Sequence, residues 1–198
     1  MTSASPAPVV MGRRERNKQA KLERIIAAAS ELFSEHGVDD VTTQQIAEKA
    51  DIGTGTLFLY AKTKGELLLL VQNAKYAEAL RLGLDAAKKA ANPVDAVMAI
   101  VRPVVECNRL QIDNGRTYLR EMVFGDPREP HHAEALAIVA QTEAALSGVL
   151  DKDDHTAATL ARVVSSIMFL SMAASPNVAL SIDEIEEDIR RQVVAVLA

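Results

Sequence analysis

Apolar residues recur with the period of an α-helix along nearly the whole chain, and no stretch alternates in the manner of a β-strand. Leu22, Ile25, Ile26, Ala29, Leu32 and Phe33 fall at i, i+3, i+4, i+7, i+10 and i+11, one face of one helix. Gly37 follows as a natural stop. Three capping boxes mark helix starts: Thr42-Thr43-Gln44-Gln45, Thr63-Lys64-Gly65-Glu66 and Ser181-Ile182-Asp183-Glu184. In each, a hydroxyl accepts an orphan N–H of the first turn and a Gln or Glu three residues on reaches back. The first opens a short helix from Thr43 to Ala50. The second opens a long helix toward Ala91, which Asn92-Pro93 ends while starting another, with Asn as N-cap and Pro in the first turn.

That helix reaches about Leu110. Gly115 and Phe124-Gly125-Asp126-Pro127 bracket a shorter one, and Glu129-Pro130 starts the next, toward Leu150. Asp153 or Asp154 caps a further helix to about Ala174, which Ser175-Pro176-Asn177 breaks before the last. The pattern predicts an all-α chain of about nine helices. Its organisation reads as a disordered Ser/Pro/Ala tail over residues 1–11, a three-helix unit over 12–65, and a helical body over 66–198.

Charge separates the same two parts. The chain carries 22 basic and 27 acidic side chains, a net charge of −5. A surface that coats nucleic acid or an anionic membrane throughout is therefore excluded. Between Gly12 and Arg24, however, Arg13, Arg14, Arg16, Lys18, Lys21 and Arg24 face only Glu15 and Glu23, a local excess of +4. The acidity lies in the C-terminal two thirds. One cysteine, Cys107, leaves no intrachain disulfide and no multi-cysteine zinc site. The longest strongly apolar run, Leu67-Leu68-Leu69-Leu70-Val71, falls far short of the roughly 20 residues that span a bilayer. With no leader-like segment at residues 1–11, these features predict a cytoplasmic protein with no membrane partner.

Residues 42–60 have the form of a helix-turn-helix: a short capped helix, the turn Asp51-Ile52-Gly53-Thr54-Gly55, and a second short helix. Ile46, Ala47, Ile52 and Leu57 pack inward in this reading, while Thr54, Thr56, Leu59 and Tyr60 point out. In such a motif the second helix enters the major groove of DNA. The segment Ile46-Ala47-Glu48-Lys49-Ala50-Asp51-Ile52-Gly53-Thr54-Gly55-Thr56-Leu57-Phe58-Leu59-Tyr60-Ala61-Lys62-Thr63-Lys64-Gly65-Glu66-Leu67 resembles the TetR/AcrR family signature, I-A-x-x-A-G-V-S-x-G-T-L-Y-x-Y-F-x-x-K-x-x-L. The resemblance covers about residues 20–70. Asp51 departs from the usual Gly, Gly53 from Ser, Phe58 from Tyr and Ala61 from an aromatic residue.

The resemblance implies a DNA-binding regulator. Thr43 and Gln44 would touch phosphate or groove edge, Thr54, Gly55, Thr56 and Leu59 would face the major groove, and Tyr60 and Lys64 would contact phosphate. The charge pattern adds Arg13, Arg14 and Arg16 as an arm toward DNA. The resemblance further implies a body that binds a small molecule and forms a homodimer reading a palindromic operator. A stripe of Leu160, Val164, Ile167 and Ser171, with another of Ile182, Ile185, Ile189, Val193 and Val196, suits a four-helix dimer interface. Because aromatics are scarce in the body, a lipophilic effector would meet Met98, Val101, Val105, Tyr118, Met122, Phe169 and Met172. No cofactor or metal is implied. His131-His132 point about 100° apart on a helix, and Cys107 reads as a small hydrophobe. A repressor released by its effector is the leading reading. An activator or an effector-free regulator fits the same residues. A small helical enzyme is the rival class, but no H-E-x-x-H, G-x-S-x-G or P-loop spacing supports it.

Overall fold

A computed structural model describes residues 12–198, and the tail expected over residues 1–11 lies outside the described residues. Nine α-helices and one 3-10 turn, Ser175–Asn177, make up the regular structure of the described chain, with no strand among the described residues. The helices are α1 (Arg13–His36), α2 (Thr43–Lys49), α3 (Thr54–Leu57), α4 (Lys64–Ala87), α5 (Pro93–Arg109), α6 (Ile112–Phe124), α7 (Pro130–Gly148), α8 (Asp154–Ala173) and α9 (Ile182–Leu197).

Most helix ends follow the side chains that announce them. Thr42 and Gln45 close a full capping box on α2, and Ser181 and Glu184 do the same on α9. Asn92 caps α5 with Pro93 in its first turn, and Asp153, rather than Asp154, caps α8. Gly37 ends α1 at φ 78°, a left-handed backbone that side chains resist. Two ends differ from expectation. At α4, Thr63 accepts from the Glu66 N–H, but the Glu66 carboxylate turns away and accepts the backbone N–H of His132 at 3.0 Å. The local box gives way to a contact between α4 and α7. Gly115 does not bound α6 but lies inside its first turns, where a Cβ would overlap the Asn108 carbonyl of α5. Glycine there permits close helix approach, not a stop.

α1, α2 and α3 enclose a small core of Ile25, Ala29, Phe33, Val38, Val41, Ile46, Ala47 and Leu57. The body packs α5 and α7 along α4, with α6 and α8 alongside and α9 against α5 and α8. Its interior includes Leu68, Ile100, Val101, Leu146, Val164, Ile185 and Ile189, each almost wholly buried. The expected boundary at 65/66 falls in the first turn of α4, a helix that packs on α1 as well as on the body.

Polar contacts of Asn114, Lys62 and His131 join head to body. The Asn114 side chain of α6 donates to the Phe33 carbonyl and accepts from the Val38 N–H, both at 2.7 Å and both buried. It satisfies the Val38 N–H just past the end of α1 and adds a second donor to the Phe33 carbonyl, which also accepts from the Gly37 N–H. Lys62 pairs with Glu129 at 2.5 Å. A His131 ring nitrogen lies 3.0 Å from the Tyr60 carbonyl.

Candidate nucleic-acid interface and the body cavity

The turn between α2 and α3 is built around Asp51, whose φ of 53° makes it the one positive-φ non-glycine residue among those described. This is the position where the family signature has glycine, and the conformation explains that preference. Arg24 of α1 donates to both the Asp51 carbonyl and its carboxylate, fixing the turn against α1. The Thr56 and Leu57 N–H groups return to the Gly53 carbonyl and start α3. The helix is short. From Leu59 to Ala61 the backbone continues as bonded turns onto Thr56 and Leu57.

Leu57 is buried while Thr54 and Thr56 are half-buried and Gly55 is exposed. Leu59 is 83% exposed. Phe58 is 43% exposed, because the inward positions here are held by Leu57 and Ala61. A Cβ at Gly55 would meet nothing within 4 Å, so internal packing does not require glycine there. Next to this element the first turns of α1 complete an open groove of about 950 Å³, lined by Arg13, Arg14, Glu15, Asn17, Lys18 and Lys21 together with Thr56, Leu59 and Tyr60. Arg13, Arg14 and Arg16 are thus helical residues of α1, the first two of them lining the groove, and not an extended arm. A basic rim around an outward helix-turn-helix suits the phosphate backbone of duplex DNA.

Two residues expected on phosphate are engaged inside the chain. The Tyr60 hydroxyl donates to the Lys18 carbonyl at 3.3 Å, tying α1 to the reading element. The Lys64 ammonium donates to the carbonyls of Asp39 and Val41 at 3.1 and 3.2 Å. Both position the head. Thr43 is half-buried, and Gln44, exposed at the start of α2, donates its amide to Glu48 at 2.9 Å.

In the body, one apolar cavity of about 60 Å³ lies among α4, α5, α6, α7 and α8. Tyr118, Met122, Phe169 and Met172 line it, together with Tyr76, Val104, Leu119, Ile138, Val139, Thr142, Ser165 and Met168. Met98, Val101 and Val105 do not reach it. Val101 and Val105 are fully buried core residues, and Met98 lies on a polar groove between α5 and α9. Tyr76 and Tyr118 stack with ring centroids 4.1 Å apart. Asn108 donates to the Tyr76 hydroxyl at 2.8 Å, and the Tyr118 hydroxyl donates to Asn73 at 2.9 Å. Burial pushes both phenols above their ordinary range, so both stay neutral donors. No charged side chain lines the cavity. Cys107 is likewise pushed up by burial, to about 11.

The dimer stripes require correction. Val164, Ser171, Ile185, Ile189 and Val193 are buried within the protomer and have no surface to offer a partner. Leu160, Ile167, Ile182 and Val196 are half-buried. On α8 the outward stripe is rotated by one residue, about 100°, to Thr159, Val163, Ser166 and Leu170. Periodicity located an apolar face but could not tell which of two adjacent faces points home. On α7 the outward positions include Ala133, Leu136, Ala137, Ala140 and Ala144 beside Glu134 and Gln141, whereas those of α9 include Asp183, Glu184, Glu187, Arg191 and Gln192.

Comparison with known proteins agrees with the geometry. Residues 25–71 match the family model described as bacterial regulatory proteins, tetR family. The chain is 26% identical over 164 residues to the HTH-type transcriptional regulator TcmR of Streptomyces glaucescens, covering 83% of this chain and 67% of TcmR. It is 28% identical over 116 residues to the HTH-type transcriptional regulator RutR of Escherichia coli K12, covering 59% of this chain and about half, 54%, of RutR. A TetR transcriptional regulator from Rhodococcus sp. RHA1 shares the fold with a TM-score of 0.72 at 21% identity, over 92% of this chain and 98% of that one. The TetR-family repressor FadR of Thermus thermophilus, solved in complex with lauroyl-CoA, shares it with a TM-score of 0.63 at 22% identity, over 89% and 95%. With the signature, the helix-turn-helix geometry and these likenesses in agreement, the chain belongs to the TetR family of transcriptional regulators.

Proposed function

We propose that this regulator is a cytoplasmic homodimeric repressor that holds a palindromic operator and leaves it when a lipophilic effector enters the body. The carrying observation is the reading element: outward Thr54, Gly55, Thr56 and Leu59 beside the basic groove of α1. A single head offers a small contact, so useful affinity calls for two heads on successive major grooves, about 34–36 Å apart.

The outer faces of α7 and α8 support the dimer. Across α8 the mean hydropathy reaches 1.4 over an 18-residue window, yet only 33% of that window is buried in the protomer. Leu170 is 65% exposed, and Leu136 and Val163 are also exposed. The Thr159 and Ser166 hydroxyls bond back to carbonyls of their own helix at 2.9 and 2.8 Å, leaving carbon outermost. The alanines of α7 permit close helix approach. Such a face suits a four-helix contact about a two-fold axis. By length and composition alone α8 would also cross a bilayer, but it carries Arg162 and packs along α7 and α9.

α6 supports coupling between body and head. Tyr118, Leu119 and Met122 line the cavity, Asn114 grips the end of α1, and Glu121 lies against Gly65 at the start of α4. An effector that displaces α6 therefore acts on the head directly, not only through α4. It shifts the equilibrium by its differential affinity for the two arrangements. The uncharged lining selects an uncharged moiety, and Met122, Met168 and Met172 are the side chains whose rotation enlarges the space.

Footprinting on the DNA flanking neighbouring genes tests the operator reading: a protected two-fold sequence is expected, and no protection at any salt concentration overturns it. A second reading, a regulator without a small effector, is favoured by the cavity volume of about 60 Å³, far below the roughly 300 Å³ where small-molecule sites begin. Thermal-shift and operator-release measurements with dodecanol and lauroyl-CoA separate the two. A raised Tm with release supports the effector reading, and no change with either probe supports the second.

A further inference from the structure

The reading element runs Thr54-Gly55-Thr56-Leu57-Phe58-Leu59-Tyr60 and contains no Arg, Lys, Asn, Gln, Asp or Glu. The bidentate contacts by which proteins usually name guanine or adenine in the major groove need an Arg, Lys, Asn or Gln side chain. This element has none to make them. The two amides of α2 are engaged within the helix: the Gln44 nitrogen donates to Glu48, and the Gln45 oxygen accepts from Thr42 in the capping box. Lys62 and Lys64, which follow the element, are held by Glu129 and by the carbonyls of Asp39 and Val41.

What the element does present is small hydroxyls, bare backbone at Gly55, and the side chain of Leu59. At 83% exposure Leu59 is the most exposed of the large hydrophobic residues described. Little among the described residues covers it. It shares its groove with Arg14, Lys18 and Lys21, a rim that selects a polyanion. A polyanion with an apolar group on its recognised face is duplex DNA, whose major groove carries the C5-methyl of thymine.

We infer that Leu59 reads a thymine C5-methyl group, and that the operator half-site places a thymine beneath it. The inference rests on the DNA-binding reading above and adds the base. Specificity then comes from apolar contact and shape more than from a hydrogen-bond code. An apolar contact of this kind rejects cytosine and uracil for the same reason, the missing methyl group.

The test begins with binding-site selection from randomised duplexes by the full-length protein. Each thymine of the selected sequence is then replaced by deoxyuridine, which keeps every hydrogen-bonding group and removes only the methyl. At one position per half-site the wild-type protein is expected to lose about fourfold in affinity per half-site, the effect of one methyl-sized apolar contact. The Leu59→Ala variant is expected to bind the thymine operator more weakly, to be indifferent to deoxyuridine at that same position, and to melt near the wild-type temperature because the side chain buries little of its surface at home. Wild-type indifference to deoxyuridine at every position overturns the inference while leaving DNA binding intact, as does unchanged deoxyuridine sensitivity in Leu59→Ala. If no sequence is selected at any salt concentration, the DNA-binding reading itself fails, and the inference with it.

Discussion

The head and the body solve opposite packing problems. In the head a small apolar set is buried almost completely, with Leu59 and Phe58 the exceptions. Ile25, Phe33, Ile46 and Leu57 are almost fully buried, and the outer face is left to hydroxyls, glycine, positive charge and the Leu59 side chain. In the body the apolar set exceeds what the chain buries: a small cavity remains inside, and α8 and part of α7 keep apolar outer faces. The glycines make the contrast concrete. Gly115 in the body is required by the backbone of α5 pressed against it, whereas Gly55 in the head faces open space. The body is built from tight helix crossings, and the head is a scaffold for a surface that something else must touch.

Substitutions at those positions test the contrast most directly. Gly115→Ala should destabilise the protein by about 3 kcal/mol, since the new methyl can be accommodated only by moving α5 from α6. Thermal or urea unfolding measures it, and a neutral result would mean the crossing is looser than the structure shows. Asn114→Ala attacks the junction between the regions. It removes two buried hydrogen bonds and exposes the Val38 N–H to an apolar setting, for a cost of about 2 kcal/mol. If the clamp also orients the head, operator affinity of the folded variant falls as well. Unchanged affinity would confine Asn114 to a structural role.

A third test concerns the body alone. Burial holds the Cys107 thiol protonated up to about 11, whereas an unfolded chain ionises it near 8.5. Between these values the unfolded state binds fewer protons, so the stability contributed by this group is present below about pH 8.5 and is lost as pH rises toward 11. Cys107→Ala should flatten the alkaline fall in stability. An identical pH profile for the two proteins would show that another group is responsible.

In the head the expected effects are smaller and of a different kind. Gly55→Ala should leave folding intact or raise stability by about 0.5–1 kcal/mol through helix propensity, yet weaken operator binding, because the added methyl stands between backbone and groove. Tight binding by this variant would remove Gly55 from the interface. Asp51→Gly should stabilise by about 0.5 kcal/mol by relieving the positive φ, the gain being reduced by loss of a surface pair with Arg24 worth little in water. A drop in Tm would show the Arg24 contact to matter more than the strain.

Much of this molecule is legible in one dimension because its signals are local. Capping at Thr42, Asn92, Asp153 and Ser181 depends on residues three apart, and the helices begin where those residues say. The reading element is legible for the same reason: a motif of about twenty residues places its own inward and outward positions. Leu59 was readable as an outward residue. The exposure of Phe58 is not legible in this way, because it depends on where the helix gives way to turns.

Local signals fail where two helices compete for the same side chain. Glu66 completes a capping box by spacing, yet its carboxylate serves His132, more than sixty residues away in the chain. Met98, Val101 and Val105 have the composition of a pocket and the positions of a core and a surface groove. Tyr76, Ile138 and Thr142 line the cavity with no pattern to mark them, because a cavity is defined by what five helices leave unfilled. The α8 stripe was placed one residue out, since an apolar helix shows its hydrophobicity on every side. The sequence by itself determined the helices, their caps, the helix-turn-helix and the charge division, all encoded within a few turns of chain. Tertiary structure alone decided which apolar face points home, which cations are held internally and where space remains, since those depend on distances between residues far apart in sequence.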